Sequence, residues 1–411
     1  MHRSPTGKRG PGWRIGLRYS RFTHTDLGLH PMQTSWDLIV IGAGILGTSH
    51  AYFAARRGWR VLLMERGDWP GEASVRNFGT LMAGSLVGEW RRRGLESIAL
   101  YRELAPQAGF DFYPCGSLYH VTTPIEAAVL QEFAQLAPRD GCRCELLEPA
   151  RAVALNPLLE PDHVRLALFV PDDARIEPRG LFRRLIPWLM RELHVEYRPE
   201  TVAVQVWADG GEACVRTSAG AELHARRVVV CNGSDLRTLF PERFIAAGFE
   251  RCKLQMLRTP PQPQLHLPAT VASGLTLRRY PAFSICPSWA RLNEEPVAPG
   301  VLEAGIHILI VQDPDGSFVV GDSHEYASGD LSEILDTRVE ALILSEARKL
   351  IQLPSWEIAQ RWHGVYSMPK DAEIYRETID GVIHLVTGIR GKGMTTGPAV
   401  ARESIDALAG R

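Results

Sequence analysis

The sequence predicts an α/β protein, in which a domain built on a parallel sheet is joined to a mostly antiparallel β-sheet domain of the α+β type. Three observations favour this fold class. An apolar run leads into Gly42-x-Gly44-x-x-Gly47 and then into a helix-like segment. A second glycine-rich turn lies near the other end of the chain, at 388–393. Between them, residues 245–370 carry a β pattern.

The first turn has the features of a Rossmann-like dinucleotide-binding unit. Residues 38–41 are continuously apolar, as in a parallel strand buried on both faces. The first glycine permits the tight turn, the second lets backbone approach a pyrophosphate, and the third lets the helix pack on the strand. We predict a helix over about 45–57, whose N-terminal amides point at the phosphates.

An acidic residue and the second turn indicate which dinucleotide is bound. Glu65 ends a predicted second strand, 59–64. A carboxylate there accepts hydrogen bonds from ribose hydroxyls and repels a 2′-phosphate, which favours FAD or NAD over NADP. The turn at 388–393 follows a predicted strand, 384–387, and precedes a helix from Met394. That helix N-terminus can stabilise negative charge on a reduced flavin ring, so FAD is predicted.

Composition narrows the class of protein. A chain of 411 residues predicts two domains, and a net charge of -1 gives no reason to expect a nucleic-acid partner. No apolar run reaches the roughly 18 residues of a transmembrane segment. Seven scattered cysteines without zinc spacing predict reduced thiols in a cytoplasmic protein and no metal site. Residues 1–31 are expected to be a disordered tail or to precede the true initiator, Met32.

The two expected domains are interleaved along the chain. We expect a discontinuous FAD-binding domain made of 32–110, 175–240 and 370–411. The substrate domain is expected to comprise 111–174 and 241–369. Helices are predicted at 91–103, 124–137 and 181–193.

The predicted substrate domain contains one clear hairpin and one amphipathic helix. Two apolar strands, 306–312 and 317–321, flank the turn sequence Asp-Pro-Asp-Gly. The apolar residues of 331–350 recur at helical spacing, which predicts a helix lying on the sheet.

Four segments resemble the FAD-dependent amine and amino-acid oxidoreductases of the glycine oxidase, sarcosine oxidase and D-amino-acid oxidase group. GEASVRNFG (71–79) resembles a loop of the type S-x-R-N-x-G, and ETVAVQV (200–206) resembles the strand that meets the adenine. VVVCNGSDL (228–236) resembles the strand and turn usually written A-A-G-A-W, without the tryptophan. Residues 379–398 resemble the C-terminal strand, turn and helix, so the resemblance covers about 36–410.

The resemblance implies a set of FAD-binding residues. They are Ile41, Gly42, Ala43, Gly44, Ile45, Leu46, Gly47, Glu65, Arg66, Ser74, Arg76, Asn77, Val202, Asn232, Gly233, Gly391, Gly393, Met394 and Thr395. The cysteine that links flavin covalently in sarcosine oxidase-like members has no counterpart, so the FAD is expected to be non-covalent.

The sequence departs from these relatives where the substrate is recognised. Glycine oxidase-like members carry an arginine in an R-P-x-T-x-D-G stretch that forks onto the substrate carboxylate. The matching stretch here, WHGVYSMPKD (362–371), has no arginine. Candidate residues for binding or catalysis are His363, Lys392, Tyr366, Arg279, Tyr280 and His324.

The combination S-V-R-N-F-G, T-L-R-R-Y-P-A-F and V-V-G-D-S-H-E-Y resembles one subgroup of the family. That subgroup is linked with phosphonate catabolism, which implies oxidation of the C–N bond of 2-aminoethylphosphonate or its N-methyl form, by hydride transfer to flavin N5. Two alternatives stay open: a glycine, sarcosine or D-amino-acid oxidase or dehydrogenase, and a flavin-carrying electron-transfer subunit. The electron acceptor, oxygen or a quinone, stays open as well.

Overall fold

A computed structural model of the chain describes residues 36–410. The expectations for 1–31 and Met32 lie outside these residues. The helices of the described part, in chain order, are α1 (Ile45–Ala55), α2 (Gly88–Ala108), α3 (Pro124–Leu136), α4 (Pro149–Leu155), α5 (Pro178–Leu193), α6 (Pro241–Ala246), α7 (Thr276–Arg279), α8 (Trp289–Glu294), α9 (Thr337–Ala347) and α10 (Gly393–Ala409).

The strands of the same residues, in chain order, are β1 (Leu38–Ile41), β2 (Val61–Met64), β3 (Thr80–Leu81), β4 (Phe112–Tyr113), β5 (Ser117–Val121), β6 (Glu145–Leu147), β7 (Leu166–Val170), β8 (Ala174–Ile176), β9 (Glu196–Arg198), β10 (Ala203–Asp209), β11 (Glu212–Thr217), β12 (Glu222–Ala225), β13 (Val228–Val230), β14 (Glu250–Arg258), β15 (Thr270–Ser273), β16 (Leu309–Gln312), β17 (Phe318–Gly321), β18 (Glu325–Ala327), β19 (Gln360–Met368), β20 (Tyr375–Ile379) and β21 (Ile383–Thr387).

A six-stranded sheet carries both glycine-rich turns. Its order is β20-β21-β13-β1-β2-β9, and all neighbours are parallel except β20 and β21. Strand β1 is buried along its whole length, as its apolar sequence predicts. Because β1 and β21 run parallel, their carboxyl ends, with the turns that follow them, lie at the same edge of the sheet. The predicted Rossmann-like sheet is therefore confirmed.

A second large sheet is mostly antiparallel. Its order is β18-β14-β17-β16-β15-β5-β7-β6, with β19 also paired to β14, and only β15 and β5 pair in parallel. The predicted hairpin is confirmed, with β16 and β17 in register from Leu309 opposite Gly321 to Gln312 opposite Phe318. Inside the turn, Asp313 N donates to Ser317 O at 2.8 Å. Three candidate residues described below lie on this sheet or next to it: Asp322 directly after β17, His324 directly before β18, and Tyr366 within β19.

The predicted helix over 331–350 is wrong at its start, since α9 begins at Thr337. The Asp336 side chain accepts a hydrogen bond from Arg338 N at 2.8 Å and so caps the helix there. Before it, Lys253 Nζ donates to the carbonyl oxygens of Ser332 and Ile334 at 2.8 and 3.2 Å. Those carbonyls are satisfied outside a helix, and the Ile334 side chain is exposed.

The other predicted helices, 45–57, 91–103, 124–137 and 181–193, correspond to α1, α2, α3 and α5. All seven cysteines are free thiols. Within 36–410, no helix is long and apolar enough to cross a membrane. The described residues cluster into one compact unit by their contacts, and the proposed domain boundaries stay a prediction.

Candidate cofactor and substrate site

Two helix N-termini meet at the edge of the parallel sheet. Ile45, the first residue of α1, has its Cγ2 3.5 Å from the position that a Cβ would take at Gly393 or at Gly397 of α10. Neither helix has an acidic residue in its first turn. Amides at both N-termini therefore favour a negatively charged ligand at this point.

The glycines of the first turn differ in what they do. Gly42 has φ +94°, a conformation that favours glycine, and a Cβ at Gly47 would overlap the carbonyl oxygen of Gly42. These two glycines are needed by the fold itself. Gly44 has φ -63° and extended backbone, and a Cβ there would lie 3.1 Å from Ser74 Oγ. A side chain at Gly44 would therefore fill the cleft without distorting the turn.

A cleft, here called the cofactor cleft, lies beside these termini. Its walls include Ile41, Gly42, Gly44, Met64, Glu65, Arg66, Ser74, Val202, Cys231, Asn232, Gly233 and Asp235. Glu65 Oε2 accepts a hydrogen bond from Ala43 N at 2.9 Å, and Ser74 Oγ accepts one from Ile45 N at 3.0 Å. Asn232 Oδ1 is buried and has no hydrogen-bond partner among the described residues. Glycine backbone, a helix N-terminus, a carboxylate and an unused amide oxygen fit the adenosine and pyrophosphate half of a dinucleotide.

The loop 71–79 joins the cofactor cleft to β19. Arg76 Nε donates to Gly71 O at 2.6 Å, and Arg76 O accepts from Trp362 Nε1 at 3.1 Å. Asn77 Nδ2 donates to Ala73 O at 2.8 Å, while its Oδ1 accepts from Gly79 N at 2.7 Å. The side chains of Arg76 and Asn77 thus shape the loop, and their contact with FAD stays a prediction.

The turn before α10 is held by its own contacts. Lys392 Nζ pairs with Glu373 and lies 4.5 Å from the centre of the Trp90 ring. Burial lowers the pKa of Lys392, and the Glu373 carboxylate opposes that shift. Met394 O accepts a hydrogen bond from Tyr101 Oη at 3.0 Å. Lys392 is therefore engaged by Trp90 and Glu373.

Tyr366 and Arg279 connect this turn with the antiparallel sheet. A Cβ at Gly391 would lie 3.5 Å from Tyr366 Cε1, which places the phenol ring against the turn. Tyr366 Oη accepts a hydrogen bond from Arg279 Nη2 at 3.2 Å. Among the residues that the structure describes, no carboxylate oxygen lies within 4.0 Å of the Arg279 guanidinium. A permanently charged group is thus left for an anionic ligand.

Three buried side chains, those of His307, Asp322 and His324, interact electrostatically with Arg279. The Nε2 of His307 lies 3.2 Å from Asp322 Oδ1, and the Nδ1 of His324 lies 3.8 Å from the same oxygen. The two imidazole rings stack with centres 5.0 Å apart, and the Tyr280 ring packs edge-on against His307. We call Arg279, Tyr280, His307, Asp322, His324 and Tyr366 the substrate cluster.

The electrostatics of the substrate cluster follow from its burial. Burial raises the pKa of Asp322 to about 8, although the Arg279 cation opposes that shift. Burial also lowers the pKa of His307 and of His324 well below the usual range, and Arg279 adds to both shifts. Both imidazoles are therefore neutral near pH 7, and Asp322 can change its protonation there.

The structure brings four of the six predicted substrate residues together, namely Arg279, Tyr280, His324 and Tyr366. His363 lies apart, because successive side chains of a strand point to opposite faces. Trp362 and Tyr366 face the loop 71–79 and the Gly391 turn, whereas His363 Nε2 pairs with Glu333 Oε2 at 2.9 Å. In the described part of the chain, no hydrogen bond or ion pair links the side chains of His363 or Lys392 to the substrate cluster.

Sequence reasoning did not select His307 or Asp322. Asp322 comes directly after the apolar strand β17, and an acidic residue at the end of a buried strand is a usable signal. His307 sits among the apolar residues 306–311, where a lone histidine is more often packed than functional. Its distance of 3.2 Å to Asp322 Oδ1, which only the structure reveals, separates His307 from an ordinary packed histidine.

Comparisons with known proteins agree with this geometry. Residues 37–407 match the family described as "DAO: FAD dependent oxidoreductase". Human mitochondrial dimethylglycine dehydrogenase is 28% identical over 159 residues, which are 36% of this chain and 18% of that protein. The 4-methylaminobutanoate oxidase (formaldehyde-forming) of Paenarthrobacter nicotinovorans is 29% identical over 228 residues, 54% of this chain and 27% of that protein. The chain thus spans well under a third of either relative.

A solved structure agrees over almost the whole chain. Glycine oxidase from Geobacillus kaustophilus superposes with a TM-score of 0.75 and 18% identity, and the match covers 92% of this chain and 95% of that one. At this identity the likeness shows a shared fold.

Proposed function

Because the chain belongs to the DAO family of FAD-dependent oxidoreductases, we propose that it oxidises the C–N bond of a small anionic amine. Bound FAD supplies an acceptor for a hydride, the chemistry that such an oxidation needs. The cofactor cleft fits the ADP half, with Glu65 at the ribose and the N-terminus of α1 at the pyrophosphate. The FAD is proposed to be non-covalent.

The observation that carries the proposal is the position of Arg279. Its guanidinium donates to Tyr366 Oη, faces no carboxylate within ion-pair distance among the described residues, and reaches the Gly391 turn through the Tyr366 ring. Arg279 thereby provides the positive charge that the 362–371 stretch lacks. An anionic group bound to Arg279 would hold the substrate on the side of the antiparallel sheet that faces the turn.

We propose a phosphonate as that anion, in 2-aminoethylphosphonate or its N-methyl form. A tetrahedral dianion is matched by donors that converge from several directions, whereas a planar carboxylate is matched by one arginine fork. Arg279, Tyr280 and Tyr366 come from two separate segments and carry N–H or O–H donors, and we propose that these donors converge on the phosphonate. Both curated relatives named above carry a methylated amine in their names, which supports attack at an N-methyl or N-alkyl carbon.

In this proposal the chain's residues bind, orient and exclude water. Arg279 and Tyr366 would hold the anion, and the buried rings of His307 and His324 would shield it from water on one side. Fixing the anion fixes the direction of the short carbon chain, so that its amine-bearing carbon can face the cofactor.

The test is anaerobic reduction of the purified protein by a panel of amines. The visible flavin absorption should bleach with 2-aminoethylphosphonate or its N-methyl form, and far more slowly with glycine, sarcosine or D-alanine. Bleaching by the carboxylates alone would overturn the phosphonate proposal in favour of an amino-acid oxidase or dehydrogenase. Bleaching by dithionite but by no amine would favour an electron-transfer subunit. Reoxidation by oxygen or by a quinone then identifies the acceptor.

A further inference from the structure

We propose that Asp322 binds the ammonium group of the substrate and takes its proton, so that the amine is neutral when its C–H bond breaks. The inference rests on the proposed function and adds a catalytic residue to it. It assigns a role to the one carboxylate of the substrate cluster, which binding of the anion leaves unused.

The position of Asp322 suits a cationic group. The side chain lies at the end of β17, is 4% exposed, and has no ion pair with Arg279 within 4.0 Å. Oδ1 is buried and lacks a hydrogen bond among the described residues. One fixed positive group and one carboxylate, in one buried cluster but not paired with each other, are the complement of a short zwitterion with an anion at one end and an ammonium at the other.

The neighbours of Asp322 leave its own carboxylate as the group that pairs with the charge of the substrate ammonium. Backbone hydrogen bonds between Asp322 and His307, with N to O distances of 2.8 and 3.2 Å, fix the two residues side by side. His324 Nδ1 lies 3.1 Å from Gly305 O, so this nitrogen carries the hydrogen, and the lone pair of the neutral ring is on Nε2. The other titratable groups around the cluster are Arg279, whose charge lowers the Asp322 pKa, Tyr280 against His307, Tyr326 stacked on His324, Tyr366 bonded to Arg279, and Cys252 on β14.

The proton transfer to Asp322 and the hydride loss that follows it balance in atoms and electrons with FAD, the cofactor of the family. The N–H bond of the ammonium breaks, its electron pair stays on nitrogen, and the proton forms an O–H bond on the Asp322 carboxylate. Bound FAD would supply the acceptor for the hydride that the carbon of the neutral amine loses, which would leave an iminium ion. The summed charge of Asp322, the substrate and the flavin is the same before and after, so no further reactant is needed. His307 Nε2, 3.2 Å away, can accept a hydrogen bond from the protonated carboxyl.

The basicity of Asp322 supports this role. An ordinary carboxyl, with a pKa of about 4, is too weak a base to hold a proton against a primary amine, whose pKa is about 10. Burial raises the pKa of Asp322 to about 8, close enough for the proton to move inside the pocket.

The experiment compares wild type with Asp322→Asn and Asp322→Glu as FAD-loaded proteins. Flavin reduction by 2-aminoethylphosphonate is followed anaerobically in a stopped-flow instrument from acid to alkaline pH. In wild type, the rate constant should rise and level off near pH 8. In Asp322→Asn it should be about 100-fold lower at pH 7 and keep rising toward about pH 10, because only amine already neutral in solution reacts. Asp322→Glu should restore part of the rate at neutral pH.

A binding measurement separates this role from a structural one. Methylphosphonate, which has the anion but no amine, is titrated by calorimetry and should bind wild type and Asp322→Asn within about threefold of each other. 2-Aminoethylphosphonate should bind the variant about tenfold more weakly. Loss of methylphosphonate binding in the variant, or an unchanged pH profile, would overturn the role of Asp322. A wild-type protein that no amine reduces would instead overturn the proposed function.

Discussion

The cofactor cleft and the substrate cluster are built in opposite ways. The cleft is lined by residues of three segments, 41–74, 201–203 and 231–239, and at the first of them the glycine turn and the first turn of α1 present backbone amides. The substrate cluster is made of side chains from α7 and β19 and from the segments that directly follow α7, precede β16 and follow β17. A site made of backbone needs closely spaced glycines, and such spacing can be recognised within a short stretch of sequence. A site made of distant side chains leaves no local pattern.

The largest expected effect comes from a side chain placed in the cleft. Gly44→Val should abolish FAD binding, because extended backbone at Gly44 tolerates a Cβ but the side chain would point at Ser74 and fill the path of the pyrophosphate. Flavin content and circular dichroism of the purified variant check this. Gly329→Ala, at a position with no atom within 4 Å of the added Cβ, is the control and should keep its flavin. A yellow Gly44→Val protein would mean that the cofactor lies elsewhere.

The next effect concerns the cation of the substrate cluster. Arg279→Met should lower kcat/KM by about 100-fold or more, mainly through KM, because the anion loses a charged hydrogen-bond donor. Arg278→Met is the matched control on the same helix. The carboxylates that act on Arg278 are Glu126 and Glu295, and we expect a change of no more than roughly threefold. Equal losses in both variants would show that the helix, and not Arg279, matters.

A smaller effect is expected at the hydroxyl that orients Arg279. Tyr366→Phe keeps the ring against the Gly391 turn and removes only the acceptor of the Arg279 hydrogen bond. A hydrogen bond to a charged group contributes about 1.5–3 kcal/mol, so KM should rise at least tenfold or so while flavin content stays constant. Steady-state kinetics beside a flavin assay measure both. A change confined to kcat would instead assign Tyr366 to the chemical step.

The smallest effect is expected at His363, which the sequence selects and the structure separates from the cluster. His363→Ala breaks a pair with Glu333, whose side chain is 83% exposed, and such pairs contribute about 0–1 kcal/mol. Activity should stay within about twofold of wild type. His324→Ala, which removes a buried ring of the cluster, should lower activity by about tenfold or more. The reverse order would place the active centre on the other face of β19.

The same contrast explains what the sequence could predict. The β1 strand, the glycine turn, Glu65 and the 309–321 hairpin follow local patterns of burial and turn chemistry, and the structure contains each of them. Arg279 and Tyr366 are 87 residues apart in the chain, and only the pairing of β14 with β19 and the position of α7 bring them within a hydrogen bond. The helix over 331–350 began late because Lys253, far away in sequence, satisfies the carbonyls before it.

Local sequence pattern could not predict which face of β19 meets the cofactor either. His363 and Tyr366 are close in sequence, and an odd separation on a strand places their side chains on opposite sides. Which side meets the cofactor depends on the loop 71–79, which reaches β19 through Trp362 and Gly364.

The most direct test of the account is a crystal structure of the FAD-bound protein with 2-aminoethylphosphonate, grown and frozen after reduction so that no turnover occurs. Phosphonate oxygens should lie about 3 Å from the Arg279 guanidinium and Tyr366 Oη, with the amine nitrogen beside Asp322. A phosphonate bound at Lys392 or His363, away from Arg279, would contradict it.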